Sequence, residues 1–404
     1  MSLLRFLQRF SLKFGLAVIV SLLCISALGL QIQWSMMHLE RQLETNVDYG
    51  QVEVTHRMSP KKAYVGCPKE KHDNDVIQRL SSIGGIYMEI TNQQRPLARF
   101  FKRPWKVERA IQNGECGYEP DHTKWNMVFL VKSAIKNRNR RDAIRSTWGS
   151  VKIYDDVMFE TVFILGSSNE TSDLDDIEVE SSLHGDILQY NLHDSAKTVP
   201  EKVVAGMQWS SEALTARWQY ASMDDDMVLN PQNLVNYYNQ LLSNHSDSLG
   251  KVCFDDLPLV CVYSYQSADP PARKKTSKWY MPPENFPGDV WPVYCRGGLY
   301  TTSHAMVRDL FAVSRRTTHL YLDDVWITGF MRRKLRGGDY NIVAAPHSIM
   351  SDHQALQDTD VRELLVKHLW GNINSIKVNV PIRILQVWKE FEPTIEDHIQ
   401  CRIT

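Results

Sequence analysis

WNMVFLVKSA (125–134), FETVFILG (159–166) and GDILQYNL (185–192) are three apolar runs of strand length, and RWQYASM (217–223) is a fourth that leads straight into Asp224-Asp225-Asp226. Between and behind them lie segments with helical spacing, VPEKVVAGMQWSSEAL (199–214) and PQNLVNYYNQLL (231–242), the latter with a proline in its first turn. Continuous apolar strands alternating with helices predict an α/β domain with a mostly parallel central sheet. In such sheets ligands gather outside the carboxyl ends of the strands. No GxGxxG follows the first run and no P-loop is present, so dinucleotide and ATPase readings lose their usual support.

Upstream of the sheet the chain changes character. FGLAVIVSLLCISALGL (14–30) carries no charge and no proline, and at about 1.5 Å per residue it spans roughly 25 Å, the short end of a bilayer core. Residues 31–33 carry it into the interface. Arg5, Arg9 and Lys13 all precede the run, which keeps the N-terminus cytoplasmic and sends the rest to a lumen or the exterior. A cleaved signal peptide ending near Ala27 and Gly29 is the competing reading. The expected segments are a tail (1–13), a transmembrane signal-anchor (14–33), a stem (34–120) and a catalytic domain (121–404). The stem assignment rests on the lack of sustained patterning around Pro60, Pro68 and Pro120, with the basic, aromatic stretch from Arg99 to Lys106 read as a solvated linker.

Over the whole chain of 404 residues, 46 Lys and Arg balance 47 Asp and Glu. That balance excludes a nucleic-acid backbone binder, which needs clustered positive charge. At 43% hydrophobic, the composition excludes a disordered scaffold. Cys24 lies in the apolar run, leaving Cys67, Cys116, Cys253, Cys261, Cys295 and Cys401 for up to three disulfides of open pairing. Asn169-Glu170-Thr171 and Asn244-His245-Ser246 are N-glycosylation sequons, meaningful only with a luminal topology.

The acidic triplet carries the chemistry. Three carboxylates at a strand end repel one another unless a cation or donor groups neutralise them. A hard divalent ion with oxygen ligands does so and also holds a diphosphate. A solvated turn before the Pro231 helix is the plain alternative, and the position behind a buried strand weighs against it.

Here the chain resembles a known family. Arg141-Asp142-Ala143-Ile144-Arg145-Ser146-Thr147-Trp148-Gly149 is similar to the RxxIRxTWG signature of the β-1,3-galactosyltransferases (glycosyltransferase family 31). Behind it, in family order, come FILG (163–166), HGDILQYNLHDS (184–195), the triplet, KWYMPPENFPGDVWPVYCRGGLYTTS (278–303) and Asp323-Asp324-Val325. The resemblance covers about 125–404. It departs at Ser222, where the family usually has Lys, at Ala196, at Trp291 and in the order Gly297-Gly298-Leu299-Tyr300. These changes touch donor and acceptor identity more than reaction class.

The resemblance implies a GT-A-type glycosyltransferase fold and inverting, Mn²⁺-dependent transfer from a UDP-sugar, in a single-pass type II Golgi membrane protein. Galactose is the first donor expected and N-acetylglucosamine the alternative, with a glycan on glycoprotein or glycolipid as acceptor. Asp226 would bind the metal and Asp224 and Asp225 would stand on the donor side. Asp324 occupies the general-base position, while Asp323 would cap the helix VWITGFMRRKL that ends at Gly337-Gly338. His368 is the expected imidazole ligand, with His347 as runner-up. Arg138, Arg141 and Arg145 share one helical face, either solvated and paired with Asp142 and Asp155 or turned to the nucleotide, with Arg141 and Arg145 favoured for the donor. Trp279 and Trp291 are acceptor-side candidates or core residues. Self-association or pairing with another glycosyltransferase is a further expectation. Two other classes stay open: an inactive luminal glycan- or partner-binding protein, and a metal-dependent phosphodiester hydrolase, against which WNMVFLVKSA offers no Asp or His ligand.

Overall fold

The computed structural model describes residues 94–246, 252–262, 265–266, 269–335, 342–345, 349–351, 361–369, 372–373, 376–377 and 379–403. The expected membrane span, most of the stem, Cys67 and His347 lie outside the described residues. Among the described residues, no helix is long and apolar enough to cross a membrane.

In chain order the main elements begin with β1 (Phe100–Lys102), α1 (Trp105–Asn113), β2 (Trp125–Lys132), α2 (Arg138–Arg145), β3 (Val151–Tyr154), β4 (Val157–Ser167), α3 (Thr171–His184), β5 (Ile187–His193), α4 (Val199–Ala213) and β6 (Trp218–Asp224). There follow β7 (Met227–Leu229), α5 (Pro231–Asn244), β8 (Leu259–Cys261), β9 (Leu299–Ser303), α6 (His304–Ser314) and α7 (Asp324–Met331), a helix of wide π-type turns. The last are β10 (Ile342–Ala344), β11 (Ile349–Ser351), β12 (Val366–His368), α8 (Val380–Ile395) and β13 (Ile399–Arg402).

The main sheet runs β1-β5-β4-β2-β6-β9-β8-β10, with β3 joining β4 to β13. Its centre, β5-β4-β2-β6, is parallel, as the apolar runs predict. β9 then runs antiparallel to both β6 and β8, and β1 antiparallel to β5, so the whole sheet is mixed. β2 is buried along nearly its entire length because helices cover both faces. Val128, Leu130, Ile164 and Leu188 pack with α4 and α6, while Phe129, Val131, Phe163 and Met223 pack with α2, α5 and α8. Gly206 lets α4 lie close on the sheet: a Cβ there would come 2.5 Å from Ile164 Cδ1.

One expectation changes here. The domain begins upstream of the predicted boundary at 120, because Phe100–Lys102 pairs with β5 and α1 buries Val107, Ala110 and Ile111. Its apolar residues are too few and too closely spaced with charges to stand out as patterned in sequence. Of the cysteines, Cys116 bonds Cys401 and Cys261 bonds Cys295. Asn169 and Asn244 are both exposed, the accessibility that a glycan requires.

Candidate active site

β2 and β6 end side by side, with Lys132 in register with Asp224. The chain then turns through Asp225 and Asp226 into β7, which pairs with β12 in a small second sheet. That pairing sets His368 opposite Met227 and lets Leu369 N donate to Asp226 O at 2.7 Å. The consequence is a trio: Asp224, Asp226 and His368 each offer a ligand atom, all within 4.8 Å of one another. Asp226 Oδ1, cut off from solvent, lies 3.2 Å from His368 Nε2.

The trio fits a divalent cation. Burial holds the Asp224 carboxyl above its ordinary pKa, and the nearby Asp226 and Asp323 add to that against the pull of Lys132. Burial opposes charge on His368, yet Asp226 outweighs it and raises the imidazole's pKa. The site therefore draws positive charge inward, and carboxylate oxygens with one imidazole suit a first-row ion such as Mn²⁺ better than thiolates would.

Asp225 turns away from this trio. It accepts from Ser133 Oγ at 2.7 Å, Asn137 Nδ2 at 2.9 Å and Arg140 Nη1 at 2.7 Å, and is 5% exposed. This corrects its assignment to the donor side: three protein partners engage both of its oxygens, and it anchors the turn instead.

Both favoured arginines are corrected as well. Arg141 is fully buried, and all five of its N–H groups are engaged, by Glu180 in a bidentate pair and by Ser133 Oγ, Ala134 O and Ile135 O. Arg145 grips Asp186 with two bonds of 2.8 Å and also meets Asp142 and Glu180. Arg138 faces Asp142 at 3.7 Å, and Asp155 pairs with Lys124. The arginine that reaches the triplet is Arg140, off the predicted face, 2.7 Å from Asp225 and 3.8 Å from Asp226.

Asp324 opens α7. Its Oδ1 accepts from Val325 N at 2.8 Å and its Oδ2 from Gly297 N at 3.0 Å. The residue keeps some exposed surface, yet its carboxyl is packed among protein atoms. That burial, with the like charge of Asp323 next, pushes its pKa up to about 7, against the two peptide N–H groups and Lys132. Burial thus outweighs the lowering that a helix N-terminus exerts on a carboxylate. Asp323, expected to cap the helix, makes no such bond and instead accepts from Lys132 Nζ at 3.0 Å.

The two tryptophans separate. Trp291 is 5% exposed and stacks on Phe286 at 4.4 Å between ring centroids, so it belongs to the core and is corrected as an acceptor candidate. Trp279 is 49% exposed, with Lys278 Nζ 4.2 Å from its ring centroid. Sequence reasoning missed Lys132, the one charge in an apolar strand and at its carboxyl end, where sites form. Reading that strand for metal ligands passes over the counter-ion they need.

Together the elements define an α/β protein with a carboxylate–imidazole cluster at its strand ends and a buried carboxyl of raised pKa at the start of α7. Residues 139–338 match the galactosyltransferase family model. It is 32% identical over 201 residues to the β-1,3-galactosyltransferase brn of Drosophila melanogaster, covering 50% of this chain and 58% of that one. It is 29% identical over 210 residues to a Xenopus laevis lactosylceramide 1,3-N-acetyl-β-D-glucosaminyltransferase, covering 50% of this chain and 52% of that one. To mouse (Mus musculus) β-1,3-galactosyltransferase 5 it is 27% identical over 246 residues, covering 60% and 73%. The chain therefore spans little more than half the length of the first two relatives. Among solved structures, the galactosyltransferase LgtC with donor and acceptor sugar analogues overlaps 65% of this chain and 95% of its own at a TM-score of 0.32 and 11% identity, too loosely to bear on the chemistry.

Proposed function

We propose that this chain is a GT-A-type, inverting glycosyltransferase that moves a hexose from a UDP-sugar to the 3-hydroxyl of a glycan acceptor, forming a β-1,3 linkage. Galactose is the first donor; N-acetylglucosamine is the second reading, favoured by the relative that carries that sugar in its name. The observation that carries the proposal is the trio Asp224, Asp226 and His368, whose ligand atoms lie within 4.8 Å of one another; the buried Asp324 carboxyl, its pKa pushed up to about 7, supports it. The phosphodiester hydrolase reading loses ground because, among the described residues, the converging ligand atoms are those of Asp224, Asp226 and His368 and do not include Asp324.

In this reading Asp224, Asp226 and His368 hold a divalent ion, Mn²⁺ first. Held there, the ion would supply positive charge to offset the charge developing on the departing diphosphate. Asp324 accepts the proton of the acceptor hydroxyl as that oxygen attacks from the face opposite UDP. Gly297 N and Val325 N orient its two oxygens. Asp225, tied to Ser133, Asn137 and Arg140, keeps the turn rigid so that its neighbours converge. Trp279 offers an exposed aromatic face to an acceptor sugar. A signal-anchor at 14–33, a luminal catalytic domain and glycans on Asn169 and Asn244 are the matching topology, that of a Golgi type II protein.

The test is a donor and acceptor array assayed with the full-length chain and Mn²⁺. Transfer of galactose or N-acetylglucosamine is expected; hydrolysis alone, or no turnover of any UDP-sugar, would reject the proposal. In the same assay the initial rate at saturating substrates should have an acid limb. Because the base must be deprotonated, and its pKa is pushed up to about 7, the rate should fall about tenfold per pH unit below that value. A flat profile between pH 5 and 8 would remove Asp324 from the role. Trp279→Ala should leave stability within about 0.5 kcal/mol while raising the acceptor KM and leaving the donor KM alone. Unchanged acceptor KM would place the acceptor elsewhere.

A further inference from the structure

The two aspartates of the metal-holding trio and the base lie far apart in the chain, and an ammonium bridges the ends that carry them. Lys132 closes β2, and its Nζ lies 2.9 Å from Asp224 Oδ1 and 3.0 Å from Asp323 Oδ2, with the side chain 8% exposed. β2 and β6 are hydrogen-bonded neighbours, so the Lys132–Asp224 half of this bridge is fixed by the sheet. The Asp323 half is not: α7 follows residues 315–323, which lie outside the sheet, and reaches the strand ends through side-chain contacts.

We propose that Lys132 is a positioning residue for sugar transfer, clamping the Asp323-Asp324 end of α7 to the strand end that carries Asp224 and so fixing the separation between base and donor cation. The inference rests on the transferase reading. Asp224, Asp226, Asp323 and Asp324 are four carboxylates converging on one region, and separation by mutual repulsion is the default. Arg140 is spent on Asp225, with Asp226 at 3.8 Å. Lys132 alone among the described residues has ion pairs to both the Asp224 strand end and the Asp323 end of α7. The groups facing Asp324 are Asp323, Lys132 and Tyr294, with the N–H groups of Gly297 and Val325. An unopposed Asp323 would therefore disfavour ionisation of Asp324 further.

The experiment uses the full-length chain with Lys132→Met, Lys132→Arg and the charge-balanced double variant Lys132→Met/Asp323→Asn. The readouts are melting temperature, kcat with donor and acceptor KM, and the Asp324 carboxyl titration by ¹³C NMR, assigned with Asp324→Asn. A clamp predicts a kcat about 10²-fold lower in Lys132→Met, the scale of a misplacement of about 1 Å, with the Asp324 titration moved up by about one pH unit. The double variant should bring the titration back without restoring kcat, and Lys132→Arg should keep the titration while still losing rate. A double variant, or Lys132→Arg, with wild-type kcat would overturn the clamp even if Lys132→Met failed to fold. Were the wild type to transfer no sugar, the transferase reading would fall on its own, and an Asp324 titration unmoved in Lys132→Met would still count against the clamp.

Discussion

Asp226→Asn is expected to weaken Mn²⁺-dependent UDP binding by at least about 10²-fold, a loss at the upper end of what even indirect supports of a metal site cost, while the domain keeps its fold. The asymmetry follows from what Asp226 touches. Its backbone is held by Leu369 N, a bond that the substitution leaves alone. Its carboxylate faces His368 and, more distantly, Arg140, with the like charge of Asp224 nearby. Replacing the charge relieves repulsion with Asp224, so the melting temperature should hold or rise, whereas a trio reduced to one carboxylate and one imidazole loses its hold on a hard cation. Calorimetric titration of UDP with and without Mn²⁺ measures the first quantity and thermal unfolding the second. The metal assignment fails if the folded variant binds UDP as the wild type does and EDTA has no effect on either.

Much of this site was legible in the residues before any coordinates. The parallel centre of the sheet follows from apolar runs buried on both faces, and the triplet's place at the end of β6 follows from the same reading, whereas the strand order does not. His368 was legible only through its context, since nothing local distinguishes it from His347; what makes it converge is the β7–β12 pairing, a contact across 140 residues of chain. Asp324 was legible as a position but not as an acid: its raised pKa comes from packing, which no spacing encodes.

The misreadings share a cause. In sequence Arg141 and Arg145 show only a shared helical face, and guanidinium geometry suits a diphosphate. In the fold that face meets Glu180 on α3 and Asp186 before β5, and the pairs close inside the protein. Removing one partner of such a buried pair strands a charge, so these arginines are held by the core. Trp291 misled in the same way, since stacking on Phe286 and stacking on a sugar look alike in a sequence. The antiparallel insertion of β9 beside β6 was equally hidden, because the LYTTS strand is short and carries three polar residues that the sheet nonetheless buries.

Asp324→Asn separates binding from chemistry, and its expected result is a folded protein that still binds Mn²⁺ and donor but transfers sugar about 10²–10⁴-fold more slowly, the contribution general-base catalysis makes. The amide oxygen can keep one of the two peptide donors, Gly297 N or Val325 N, so the start of α7 should stay in place. What the amide cannot do is take a proton. Asp323→Asn is the control: its oxygen can still accept from Lys132, and it withdraws a like charge from beside the base, so it should lose far less rate and move the acid limb to lower pH. If both aspartates served only to hold the helix, the two variants would differ little in turnover and would show themselves in melting temperature. Initial rates at saturating donor, donor affinity and thermal unfolding, measured on both, decide between these patterns. A stable Asp324→Asn protein working at near the wild-type rate would leave the attacking hydroxyl without its base in this site and would return Asp324 to the status of a buried helix-terminal carboxyl.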